Sequence, residues 1–153
     1  MKYVVAVDGS DSSFNALEQS LKILKPNRDT IDLVTVIDLE TATPEDLVPP
    51  ELEFINQQRV SQQILDRYSE MCKTKGFTSV KQDILCGDIR EEIIKYIEDN
   101  GPFEMVIVGS RGLSIVKRII LGSVSEYLVH HAPIPVYVVK HENHLNHATT
   151  PSI

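Results

Sequence analysis

Five short runs of β-branched and apolar residues, Tyr3–Asp8, Ile31–Ile37, Val80–Leu85, Met105–Gly109 and Ile134–Val139, are interleaved with four segments of helical period. Each run is nearly continuous in apolar character rather than alternating, which suits strands of a parallel sheet covered on both faces. The first helical segment, about 12–25, aligns Phe14, Leu17, Leu21 and Leu24 behind the N-cap candidates Ser10, Asp11 and Ser12. The second, about 51–75, repeats Phe54/Ile55, Ile64/Leu65, Tyr68 and Met71/Cys72 and stops at Gly76. The third, about 89–99, follows Asp88-Ile89-Arg90-Glu91, a D-x-x-E start, and the fourth covers 123–131. This alternation predicts a doubly wound, Rossmann-like α/β fold: a five-stranded parallel sheet, order 3-2-1-4-5, sandwiched by four helices with right-handed crossovers. Ligands in such sheets bind outside the carboxyl ends of the strands where the order reverses, between strands one and four.

Both of those strand ends carry suggestive chemistry. Asp8 is expected to close strand one. Strand four runs into Gly109-Ser-Arg111-Gly112, and nine residues later Gly122 stands before Ser123, where a helix begins. No Asp or Glu occurs between Met105 and Ser125, although the chain has a net charge of −7. Arg111, Lys117 and Arg118 make this span locally +3, so the remainder sums to −10. Gly109 and Gly112 are expected to take φ > 0 and turn their amides inward. Gly122 lets an anion approach the first turn of the next helix, where unpaired N–H groups and the dipole favour it by about 0.3–1 kcal/mol. Strand end, glycines, positive charge and helix start together suit a bound polyphosphate. A ligand-free alternative exists: Ser123-Val124-Ser125-Glu126 matches a capping box.

Length and composition bound the rest. The 153 residues suit one domain over 1–140, with a polar, weakly ordered tail over 141–153. An apolar fraction of 42% with no run near 18 residues argues against a membrane span, and the opening residues read as a strand rather than a signal peptide. Cys72 and Cys86 lack metal-like spacing and are expected reduced and at least partly buried, which points to the cytoplasm. The acidic balance argues against nucleic-acid binding. No Walker A and no G-x-G-x-x-G sequence occurs. His141, His144 and His147 are spaced i, i+3, i+6, but a polar tail explains them better than a metal does; His130 and His131 complement the dipole at the end of the fourth helix. Residues 38–50 read as an acidic, proline-marked flap beside the crevice.

With Gly109-x2-Gly112-x9-Gly122-Ser123 in view, the chain resembles the universal stress protein family in its single-domain ATP-binding form. The likeness covers about 2–140 and includes Val5-Ala6-Val7-Asp8-Gly9-Ser10, Val36-Ile37-Asp38, Leu121 to Ser125 and Pro135 to Val139. The resemblance implies an adenine slot at Ala6 and Val36, with Val7 also among the nucleotide-binding residues and Asp8 beside ribose and phosphates, where it would assist Mg²⁺ or Mn²⁺. It implies Val108 and Gly109 on the nucleoside side. Gly112, Gly122, Ser123, Val124 and Ser125 would surround the phosphates, with Arg111 in contact with them. It implies no catalytic residue, a homodimer through the strand 134–139, and ATP occupancy used as a stress-response signal with slow or no hydrolysis. The alternatives are a weak ATPase or nucleotidyl-transfer enzyme using the same crevice, and a scaffold that needs no nucleotide.

Overall fold

The computed structural model describes residues 1–38, 49–110 and 121–141. Five strands, β1 (Lys2–Ala6), β2 (Thr30–Ile37), β3 (Val80–Cys86), β4 (Met105–Gly109) and β5 (Val136–Val139), form one parallel sheet in the order β3-β2-β1-β4-β5. The helices α1 (Asp11–Leu21), α2 (Pro50–Thr74), α3 (Ile89–Asn100) and α4 (Ser123–His131) alternate with them along the chain.

The two sheet faces build separate cores. Alternate strand residues such as Val5, Ile31, Leu33 and Ile107 pack under α1 and α2 against Leu17, Leu65 and Tyr68. Val4, Val34, Val106 and Val108 pack under α3 and α4 against Ile93, Ile97 and Leu128. Burying each of these larger side chains is worth about 1.5–3 kcal/mol, which is why strands covered on both sides carry unbroken apolar runs. The helix starts follow local chemistry. Ser10 caps α1 by accepting the Ser13 N–H, and Asp88 caps α3 by accepting those of Arg90 and Glu91.

Two expected strand ends are displaced. The expected first strand ran to Asp8, but β1 ends at Ala6; the Val7 N–H still bonds the Val34 carbonyl, after which the Asp8 N–H turns to Ser13 Oγ. Likewise β5 starts at Val136, not Ile134, because Pro133 and Pro135 have no N–H for a ladder; Pro135 contributes only its carbonyl, to the Val106 N–H. Both cysteines are unpaired, Cys72 buried and Cys86 half-buried, and burial pushes the Cys72 thiol up to about 12. No helix among the described residues is long and apolar enough to cross a membrane.

Candidate functional site

Beyond the carboxyl ends of β2, β1 and β4 lies a cavity of about 440 Å³, within the range of small-molecule sites. Ala6, Val7, Asp8, Val36, Val108, Gly109, Gly122, Ser123, Val124 and Ser125, drawn from four separate parts of the sequence, all line it. Arg111 and Gly112, with Lys117 and Arg118, lie outside the described residues, as do 39–48 of the 38–50 segment and 142–153 of the tail.

Asp8 is placed by a local hydrogen-bond set. Its Oδ1 accepts both the N–H (2.9 Å) and the hydroxyl (2.5 Å) of Ser10, while Ser10 caps α1. Between them Gly9 takes φ +82°, the left-handed region that favours glycine, and a β-carbon there would stand 3.1 Å from Ile64 Cδ1. The turn fixes one carboxylate oxygen and leaves the exposed side chain able to use the other.

The start of α4 decides between the two readings of Ser123. Gly122, extended at φ −73° and ψ 168°, is the N-cap; Ser123 is already helical, and no side chain caps the helix. The capping-box explanation of Ser123 and Glu126 therefore fails. The N–H groups of the first turn border the cavity with the positive end of the helix dipole behind them. Gly122 is held in place because its N–H donates to the Ser110 carbonyl (2.5 Å). Ser125 Oγ lies within donating distance of that same carbonyl (3.3 Å) and of the Gly122 carbonyl (3.0 Å). Ser110 is itself buried and tied to β5 through Val139 O and the His141 N–H. The end of β4 and the start of α4 are thus stapled together.

Gly109 needs a different account from the one its position suggested. Its φ is not positive; instead α1 crosses β4 so closely that a β-carbon would lie 2.7 Å from Ser12 Oγ. The reason for glycine there is packing of α1, not inward-turned amides.

The cavity has further walls that sequence reasoning left out: Ser13, Val34, Thr35, Ser61, Ile64, Ile89 and Ile93. They divide it into an apolar side beneath α3 and α4 and a side rich in hydroxyls beneath α1 and α2. Next to Ser13 the Tyr68 hydroxyl is buried without a well-formed hydrogen bond, and its burial pushes the phenol pKa up. Asp8 is the one ionisable group among the described lining residues. The backbone of Val36 is also informative. Thr30 N–H donates to Met1 O and Val7 N–H to Val34 O, so even-numbered residues of β2 face β1. Val36 comes next in that series, and its N–H and C=O point past the end of β1 into the crevice rather than into a ladder.

Comparison with known proteins identifies the family and the fold. The model of the universal stress protein family matches residues 1–140. A Staphylococcus haemolyticus protein that carries the universal stress protein name is 31% identical over 140 residues, spanning 91% of this chain and 84% of that protein. The solved structure of the hypothetical protein MJ0577 superposes with a TM-score of 0.76 at 29% identity, covering 93% of this chain and 96% of that one. A family member from Arabidopsis thaliana, solved with AMP bound, gives a TM-score of 0.70 at 26% identity and covers 93% and 92%. On the family match along nearly its whole length, and on the strand order it shares with that fold, the chain belongs to the universal stress protein family.

Proposed function

We propose that this protein binds an adenine nucleotide across the carboxyl edge of its sheet, in the form of ATP with Mg²⁺ or Mn²⁺, and uses occupancy as a stress-response signal. The observation that carries this reading is the convergence of three adjacent strand ends and an uncapped helix start on one cavity. With strands about 4.8 Å apart, the tips of β2, β1 and β4 span about 10 Å, which suits a nucleoside laid across them. The phosphates belong at the β4–α4 end, on the amides of Ser123, Val124 and Ser125; the motif adds Arg111 and Gly112. Ribose belongs beside Asp8. The base belongs over β2, against Ala6, Val7, Val36 and Val108, with its polar edge on the Val36 backbone. The AMP held by the Arabidopsis relative supports an adenine nucleotide as the ligand class.

The residues present fit a divalent ion carried by the ligand. Asp8 offers one uncommitted carboxylate oxygen, and Mg²⁺ commonly takes one or two carboxylates, phosphate oxygens and water. Among the described residues no cluster of three His, Cys, Asp or Glu stands ready to hold a metal without the nucleotide. When bound, the ion would neutralise phosphate charge. Hydrolysis is assigned as slow or absent: water activation needs a positioned base, and Asp8, the one ionisable residue of the described lining, is better used on ribose or metal. The signal is a change in the surface presented by 38–50 and by the 109–122 connection, which border the cavity in sequence. We assign residues 1–140 as the nucleotide-binding domain, a cytoplasmic location, and a homodimer through 134–139.

The test is thermal unfolding with ATP–Mg²⁺. At 100 times its Kd a ligand adds about 2.7 kcal/mol, a rise of roughly 5–10 °C for a chain of this size. The expected result is that rise, with negligible phosphate release. No shift with ATP, ADP or AMP, together with no nucleotide released on denaturing fresh protein, overturns the reading.

A further inference from the structure

Two hydroxyls in the cavity have no structural task. Thr35, on β2, is 5% exposed, and Ser61, on α2, is 8% exposed; both line the cavity. Among the described residues neither side chain has a hydrogen-bond partner. Neither oxygen is sealed from the cavity, in contrast to the Tyr68 hydroxyl. The usual local outlet for a helical serine is the carbonyl four residues earlier. Ser20 takes it, donating to Ala16 O at 2.6 Å, but Ser61 does not. With both oxygens open to this cavity, their hydrogen bonds go to whatever fills it, and two such hydroxyls facing one hollow mark a place where a polar group is expected to arrive.

Their position says which part of the ligand that is. Thr35 follows the parity of Ile31 and Leu33, beneath α2, while Val34 and Val36 face the α3 layer. Thr35 and Ser61 therefore stand at the β2–α2 end, across β1 from the amides of α4. On the nucleotide reading, the phosphates occupy the α4 end and the base lies at β2. We infer that Thr35 Oγ1 and Ser61 Oγ form a polar subsite that hydrogen-bonds those heteroatoms of the purine base which the Val36 backbone leaves free, making them specificity-determining residues of the site. This inference rests on the nucleotide reading. A hydroxyl both donates and accepts, so the pair satisfies ring nitrogens and exocyclic groups alike. A site built around such bonds discriminates against ligands that lack the polar edge.

The experiment is calorimetric titration of the wild type, Thr35→Val, Ser61→Ala and the double variant with ATP–Mg²⁺ and with tripolyphosphate–Mg²⁺. Both substitutions nearly conserve shape, and melting of each apo variant verifies folding. The expected result is about a tenfold loss of ATP affinity in the double variant, with smaller losses in each single one and tripolyphosphate binding unchanged. Equal ATP affinity in the wild type and the folded double variant overturns the inference and leaves the nucleotide reading standing, the hydroxyls then holding only water. Equal losses for ATP and tripolyphosphate overturn it too, since the effect would not belong to the base. A wild type that binds no ATP removes the nucleotide reading itself, and the inference with it. Should the double variant fail to fold, the two single variants decide by the same ratio.

Discussion

A β-carbon on Gly109 would lie 2.7 Å from Ser12 Oγ and 2.8 Å from the Ser12 carbonyl oxygen. The second contact is to helix backbone, so a side-chain rotation does not relieve it. Gly109→Ala must push α1 away from β4, and overpacking of that kind costs about 1–3 kcal/mol. The expected outcome is a melting temperature lowered by several degrees in the absence of any ligand. An unchanged apo melting temperature would show that the α1–β4 packing is looser than described. Loss of nucleotide binding on changing Gly109 is consequently poor evidence for direct contact with the ligand.

Gly122 permits the complementary test. Its backbone is extended and accessible to any residue, so Gly122→Val keeps the chain path while placing a branched side chain at the N-cap, beside the cavity. Replacing glycine by valine at an N-cap costs about 1 kcal/mol, a fall of roughly 2–4 °C. We expect that modest decrease in the apo protein and disappearance of the ATP-dependent rise. A variant that retains the full ATP shift would remove Gly122 from the phosphate end of the site.

One acid-sensitive contribution to stability lies away from the cavity-lining residues, at Asp29. Asp29, buried, accepts from Arg28 Nε at 3.0 Å and from the Lys25 N–H at 2.7 Å, and the Met1 ammonium lies 3.3 Å away. The hydrogen bond from Arg28, joined by the Lys25 amide and the chain terminus, outweighs burial and holds its carboxyl at about 2. Because the folded pKa lies below the unfolded value, the contribution is present above about pH 4 and is lost as pH falls towards 2. Asp29→Asn should therefore be less stable than the wild type in denaturant melts at pH 5–7, with the gap closing between pH 4 and 2. A gap constant down to pH 2 would show that the carboxylate charge is not the source.

How far these features can be read from sequence depends on what kind of information each residue carries. The sheet was legible because burial on both faces demands unbroken apolar runs, and β4 is found at the expected Met105–Gly109. Strand ends were less so: Asp8 follows an apolar run, yet its role in the turn through Ser10 is local hydrogen bonding that no periodicity encodes. The role of Gly109 was misread because a glycine after a strand gives no sign of whether its own backbone or a neighbour's requires it. Ser61 left a trace that went unused. It shares the buried stripe of Leu65, Tyr68 and Cys72, and a polar residue on such a stripe asks for a partner. Thr35 left less, since threonine is an ordinary strand residue.

The β5 edge yields the final expectation. The Val106 N–H donates to Pro135 O and the Ser110 N–H to Val139 O, so odd-numbered residues of β5 face β4 and the N–H groups of Val136 and Val138 point outward. Antiparallel pairing with a second copy would use those outward groups and cover an edge whose side chains are partly exposed. Val138→Pro removes one outward donor and leaves every bond to β4 in place, a position where an edge strand tolerates proline. The wild type should elute with a mass of twice 17.2 kDa by size exclusion with light scattering, and the variant as a folded monomer. A wild type that is monomeric at micromolar concentration would rule out the homodimer. A variant that stays dimeric with its apo fold intact would place the contact elsewhere on the surface.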